Sequence, residues 1–481
     1  MDVGCQWRYP CVSGEARRSV QTALTMKNES VLIGNGQAFW GDSVLGPVGL
    51  VEGGPLHYLT LDYLAEVTMS IMQKLRSRNP SAGYATDFVS LLARILPVCR
   101  DRGIKIVANA GGVNPEACRE ATIEVVRSLG LHGLRIGIVR GDDILDRIGQ
   151  LVAHGEAFDH LDTGDHLDSV LPRILSANVY IGARPIADAL DQGADIVITG
   201  RAADPSLTVG PLLHEFGWND DDVDYIAAGT VAGHIIECGA QCTGGNHTYW
   251  REIPDLAAIG YPIVDFTSNG DFAVTKHPGT GGRVDISTVT EQLAYELGDP
   301  ESYISPDVVA DFTSIQLHQD GQDRVSVSGV RGRPPTDTYK VSIAYRDGYK
   351  VVGQLTIAGP DAVEKADLCA SILLDRLAID GIRLDPADCC FEKLGTNVCH
   401  EGIAAAPNDP AELVLRIAAR SSDPNTLDRL AAEIAPLVAS GPPGLTGFAS
   451  GRPKTTDVVG YWPALVRKSL IEIDVDVEEV R

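Results

Sequence analysis

Ala194-Asp195-Ile196-Val197-Ile198-Thr199-Gly200-Arg201-Ala202-Ala203-Asp204-Pro205-Ser206 decides the fold. The apolar run that ends at Ile198 is short and rich in β-branched residues, which predicts a strand buried on both faces. A helical stretch, Pro185 to Gln192, comes before it, and polar residues follow it at once. Strands that alternate with helices at this spacing predict a parallel sheet. Such sheets bind ligands outside the carboxyl ends of their strands, where Arg201 and Asp204 fall.

The same unit recurs on either side. Ser30 to Ile33, Ile104 to Ala108 and Leu134 to Val139 read as strands; Leu61 to Arg76, Asp87 to Arg102 and Pro115 to Leu129 read as helices. The loops at 34–42, 109–114, 140–143 and 199–204 are therefore expected on one edge. After about Tyr303 the style changes. Phe312 to Leu317, Arg324 to Ser328, Tyr339 to Tyr345 and Tyr349 to Ile357 predict antiparallel strands; Asp361 to Leu377 and Thr426 to Ser440 predict helices. Leu413 to Ala418 and a final strand near Leu470 to Val475 complete this half, and 441–457 is Gly/Pro-rich loop. The predicted class is α/β: a parallel doubly wound sheet in an N-terminal domain, 30–295, and a C-terminal α+β domain, 296–481. Residues 1–29 differ in style, and Met26 is a natural start, so a flexible leader is expected there.

Composition narrows the function. The formal charge of −25 opposes nonspecific nucleic-acid binding. No apolar run is long enough to span a bilayer, and residues 1–25 lack the apolar stretch of an export signal. A cytoplasmic protein is expected, with its ten scattered cysteines reduced.

Five loops carry the candidate chemistry. In the 199–204 loop Arg201 offers bidentate recognition of a carboxylate or phosphate, and Asp204 a general base; the plainer alternative is a structural Arg–Asp pair. The strand at Ser30 leads to Gly34-Asn35-Gly36, where Asn35 is a candidate ligand of the substrate. In 109–114 the Gly111 and Gly112 amides suit an oxyanion, with Asn109 and Asn114 as further donors; Asn114 is equally well explained as a helix cap. Lys276-His277-Pro278-Gly279-Thr280-Gly281-Gly282 resembles a phosphate cradle in chemistry, with Lys276, Gly279, Thr280, Gly281 and Gly282 as ligands and a capping box at Thr288 and Glu291 behind it. It matches neither a Walker loop nor a dinucleotide fingerprint.

The segment His234 to His247 is rich in His, Glu and Cys but fits no zinc spacing, so His234 and Glu237 are expected as acid and base and no metal is expected. Cys238 is a candidate nucleophile, though a buried thiol is the commoner fate. Gly244 and Gly245 are candidate oxyanion donors, and Asn246 is a candidate substrate ligand. Finally, Asp62 and Glu66 lie four apart and would share a helical face, where paired carboxylates divide acid and base roles; first-turn acids that complement the helix dipole are the alternative.

The motifs GNGQAFWGDS (34–43), LVEGGPLHYLTLDYLAEVTMSI (50–71), VANAGGVNP (107–115), GADIVITGRAADPSL (193–207), IAAGTVAGHIIECGAQCTGGN (226–246) and TKHPGTGGRVDISTVTEQLAYELGDPESYISPDVVADF (275–312) together resemble the acyclic-terpene-utilisation protein A (AtuA-like) family over about residues 30–460. The resemblance implies breakdown of acyclic terpenes through CoA thioesters. It also implies a small partner protein or a homo-oligomer, because longer members carry a further C-terminal domain. The expected activity is a lyase or hydratase that acts on a CoA thioester or another small anionic carboxylate, with CoA as part of the substrate and no separate cofactor. The alternatives are a metal-dependent hydrolase or lyase using His234, Glu237, Cys242 and His247, and a non-catalytic subunit of a terpene-utilisation or natural-product biosynthetic complex.

Overall fold

The computed structural model describes residues 30–400, 403, 405, 410–447 and 451–481. The expected leader, 1–29, lies outside them. The described chain is a mixed α/β protein that divides into two compact units. The first comprises residues up to Ser169, Leu175–Ile343 and Trp462–Arg481; the second comprises Val170–Ile174 and Ala344–Tyr461.

The first unit is organised by a ten-stranded sheet. Its centre is parallel, in the order Ser30–Asn35, Tyr58–Leu61, Lys105–Ala108, Ile196–Thr199, Arg135–Arg140. The inner strands Tyr58–Leu61 and Ile196–Thr199 are buried at every residue, which is why their sequences run apolar rather than alternate.

The sheet as a whole is not parallel. Pro262–Thr267 pairs antiparallel with Ser30–Asn35, and Phe272–Lys276, Arg324–Ser328 and Gln316–Gly321 continue outward from it, each antiparallel to its neighbour. At the other edge Asp474–Glu479 pairs antiparallel with Arg135–Arg140. The strands expected in a C-terminal domain at 312–328 thus belong to this sheet, with the first of them shifted to 316–321. The expected boundary at 295/296 falls inside the first unit, because antiparallel hairpins extend a parallel sheet without a crossover helix.

Leu61 does not open a helix. It ends the strand Tyr58–Leu61, Asp62 follows in an irregular turn, and the helix begins at Glu66. Asp62 and Glu66 therefore do not share a helical face. The run of apolar residues at Leu61, Leu64 and Val67 mimics helical spacing across a strand–loop–helix junction.

One strand, Thr338–Ala358, whose residues from Ala344 on belong to the second unit, replaces the two expected at 339–345 and 349–357. It pairs with Glu412–Ser421, which pairs in turn with Cys389–Leu394. Helices Ala362–Ile379 and Pro424–Ile434 supply Cys369, Leu373, Leu427 and Leu430 to the core over that sheet. The expected loop at 441–457 contains the short strand Leu445–Gly447 and the start of Thr456–Arg467. Among the described residues no helix is long and apolar enough to cross a membrane. The described cysteines are free, with Cys99, Cys118, Cys242 and Cys369 buried.

Candidate active site

The carboxyl ends of the five parallel strands converge on one network of buried polar groups, all in the first unit. Strand Ile196–Thr199 ends in Gly200, where a Cβ would meet Asp142 Oδ1 at 2.2 Å. The missing side chain lets Asp142, from the loop after Arg135–Arg140, accept the Arg201 amide at 2.8 Å and Asn178 Nδ2 at 3.0 Å. This locks the turn that aims Arg201 inward.

The Arg201 side chain is among the largest fully buried ones, and the residue is 1% exposed. Its guanidinium donates to the Leu64 carbonyl, sits 3.0 Å from Asp204 Oδ1 and lies 4.2 Å from the Tyr180 ring centroid. A guanidinium needs such partners to be carried into a low-dielectric interior.

Asp62 and Asn109, from two adjacent strand ends, bond to each other. Asn109 Nδ2 donates to Asp62 Oδ1 at 2.7 Å, and Asn109 Oδ1 accepts from the Tyr63 amide at 2.7 Å. The Leu64 amide also donates to Asp62 Oδ1. Burial pushes the Asp62 carboxyl well above the usual range, and the Asp204 charge adds to it. Arg201, Asn109 and the Leu64 amide offset only part.

Helix Val223–Ile236 brings in the other half of the cluster. His234 Nδ1 lies 3.2 Å from Glu237 Oε1, and the imidazole packs edge-on against Tyr303 and Phe312 at 5.2 and 5.5 Å. Burial raises Glu237 to about 7; His234 pulls it down, and the charges of Asp204 and Glu296 push it up. Burial pulls His234 down, but the hydrogen bond and charge of Glu237 outweigh it and the imidazole titrates above its ordinary value. Glu237 Oε2 is buried with no hydrogen-bond partner among the described residues. Asp204 acts on both Asp62 and Glu237, so the three carboxyls form one electrostatic unit around a single arginine.

Several expected ligands are used up by the fold. Asn35 Nδ2 donates to the carbonyls of Gln37, Ile236 and Glu237, while its Oδ1 accepts from Thr60 at 3.0 Å. Asn35 therefore clamps the end of the His234 helix to the first strand. The Gly111 amide donates to the Thr199 carbonyl and the Gly112 amide to that of Asn109; those of Gly244 and Gly245 go to Gln241 and Ala240. None is left aimed at an oxyanion. Asn114 caps helix Pro115–Ser128 through the Ala117 amide and donates to Pro80 and Ala82. Asn246 is exposed at positive φ.

The 276–282 loop starts at the same sheet edge, since Lys276 pairs with Pro262 beside the end of the first strand. It is not an open cradle. Lys276 Nζ lies 3.2 Å from Asp323 and donates to the Thr280 carbonyl, the Thr280 hydroxyl donates to the His277 carbonyl, and the Gly281 and Gly282 amides donate to Ala258 and Pro254. Gly279 has no neighbour near a Cβ position.

Cys238 is half-buried, and burial followed by the Glu237 charge pushes its thiol far up, which disfavours the thiolate a nucleophile needs. His247 turns to Glu291 at 2.6 Å instead of to His234. Among the described residues no three His, Cys, Asp or Glu side chains gather as metal ligands. The helix after the loop is capped by Asp285, whose side chain accepts the Thr288 amide, and not by Glu291. Sequence reasoning missed Tyr303 and Phe312, which wall His234; no spacing signal joins them to residues about seventy positions upstream.

The sequence pattern that defines one protein family, described as acyclic terpene utilisation family protein AtuA, matches residues 31–477. The chain belongs to that family. The match covers both units and every loop of the buried network. No curated protein and no solved structure matches the chain at a significant level. As an AtuA family member the protein is tied to acyclic terpene utilisation, and the site must be read from its own residues.

Proposed function

We propose that this AtuA family protein is an acid–base enzyme, a lyase or hydratase acting on a branched acyl-CoA thioester or a related small carboxylate of acyclic terpene metabolism. The observation that carries the reading is Glu237: a buried carboxyl at about 7, paired with His234 on one oxygen and unpartnered on the other. A base whose pKa lies near the operating pH combines availability with driving force.

In this scheme Glu237 Oε2 takes the proton from the carbon next to the acyl carbonyl, or from water. His234 stabilises the carboxylate before the transfer. Asp62, held protonated by burial and by Asp204, returns a proton or donates a hydrogen bond to the developing enolate oxygen, and the Tyr303 hydroxyl is a second neutral donor. Arg201 balances Asp204 instead of gripping the substrate. The expected glycine amides drop out of the oxyanion role, because the backbone already uses them. A small partner subunit or self-association belongs to the proposal as a requirement for full activity.

The test is turnover of a panel of branched enoyl- and hydroxyacyl-CoAs and their free acids, with and without a small partner. Activity should rise with pH through about 7 and be lost in Glu237→Gln. The reading fails if no panel member binds or turns over under either condition, or if Glu237→Gln retains full rate.

A further inference from the structure

Outside the acid–base cluster, a serine, a histidine and a glutamate stand in line. Ser287 Oγ lies 3.3 Å from His247 Nε2, and His247 Nδ1 lies 2.6 Å from Glu291 Oε2. Ser287 and Glu291 are four apart on helix Ile286–Ala294, so they project from one face and bracket the imidazole. The Thr248 amide donates to both Glu291 oxygens, at 3.3 and 3.2 Å, which fixes the carboxylate. A carboxylate at Nδ1 holds the proton there and leaves the Nε2 lone pair facing the serine hydroxyl.

The surroundings suit the arrangement. His247 is 3% exposed and shielded by the ring of Tyr249 at 5.8 Å, whereas Ser287 is half-buried and reachable. Glu291 takes no part in capping the helix, which Asp285 and Thr288 do reciprocally. The Ser287 amide is at the second helical position, where no intrahelical carbonyl reaches it.

The geometry points to a second catalytic site, separate from the acid–base reading above: Ser287 is a nucleophile for the acyl group of an ester or thioester, His247 its base, and Glu291 the positioning residue of the imidazole. As Oγ bonds to the acyl carbon, its proton passes to His247 Nε2. The bond from that carbon to the leaving sulfur or oxygen then breaks, and the leaving group takes the proton from Nε2. Water attacks the acyl-serine carbon and gives a proton to Nε2; the carbon–Oγ bond breaks and Nε2 returns the proton to Oγ. The sum is acyl ester or thioester plus water giving acid plus alcohol or thiol. The Ser287 amide, at the positive end of the helix, is the donor nearest the transient oxyanion.

The experiment treats the full chain with a fluorophosphonate and maps the adduct by mass spectrometry, then measures hydrolysis of a short p-nitrophenyl ester and a short acyl thioester. Labelling is expected at Ser287, faster than at the exposed helical hydroxyl of Ser90. Ser287→Ala should abolish the adduct, and His247→Gln should slow labelling about a hundredfold. Glu291→Gln, at a position whose side chain is 39% exposed, should slow labelling and move its half-maximal pH downward. Which of the two substrates turns over identifies the leaving group. No adduct at Ser287, labelling no faster than at Ser90, or a Glu291→Gln profile superimposable on the parent overturns the assignment.

Discussion

His234 and Glu237 stand one helical turn apart, with Nδ1 3.2 Å from Oε1, at the place where helix Val223–Ile236 runs out. Their protons are linked to folding. The Glu237 carboxyl is raised above its unfolded value, so its proton favours the folded state, and that advantage is lost as pH rises from about 4.5 through about 7. His234 is also raised. Its contribution is complete below about 6.5 and is lost as pH rises through its folded value. Both act in one direction, so the midpoint of thermal unfolding should fall between pH 5 and pH 8 by more than in Glu237→Gln, which removes the carboxyl and leaves burial to pull His234 down. Superimposable pH profiles for parent and variant would contradict this.

Arg201 and Asp204 should behave as one object. Arg201→Met removes the cation beside the half-buried Asp204 carboxylate and should cost about 1–3 kcal/mol in urea unfolding. Asp204→Asn added to it should recover part of that loss. If the two single losses simply add, the salt bridge at 3.0 Å is not coupling them.

Asn35 holds the start of the Glu237 turn through two backbone carbonyls, those of Ile236 and Glu237, and ties its own loop through that of Gln37. Asn35→Ala leaves those acceptors and the Thr60 hydroxyl to find new partners. The expected loss is about 1–3 kcal/mol in denaturant melts. Turnover should fall more than substrate affinity, because Glu237 is loosened while no substrate contact is removed.

Gly111→Ala tests the tight turn after strand Lys105–Ala108. An added Cβ would lie 2.7 Å from the Thr199 carbonyl oxygen that the Gly111 amide bonds. The loop must shift, at a cost of about 1–3 kcal/mol. Gly279→Ala in the 276–282 loop meets nothing within 4 Å and pays only for its φ of +79°, about 1 kcal/mol. Equal losses at the two positions would count against this account.

The central strands were legible because full burial removes alternation: Ile196-Val197-Ile198 and Ile106-Val107-Ala108 read as strands from composition. The edge they share followed from βαβ logic, and the Asp62–Asn109 and Asp142–Arg201 bonds join its loops. The antiparallel additions were not legible as part of that sheet, because pairing across hundreds of residues leaves no local mark. Arg135–Arg140 finds Asp474–Glu479 only in three dimensions. At the site, residue type pointed to Arg201, Asp204, His234 and Glu237. It could not tell whether a polar group would meet a ligand or the protein itself. Arg201, Asn35 and the glycine amides are all spent internally, a matter of a few ångströms that no spacing rule encodes.

The last strand of the large sheet has a consequence for how the molecule is made. Asp474–Glu479 follows the whole of the second unit in the chain, and Arg119 holds it through Asp476 at 2.5 Å. On the ribosome the flank of Arg135–Arg140 therefore stays bare while more than three hundred further residues emerge. An open strand edge of that kind recruits other chains. Slow elongation late in the message, or a nonsense codon before Asp474, is thus expected to yield aggregates, whereas the contiguous Ala344–Tyr461 stretch finishes its own contacts as it appears.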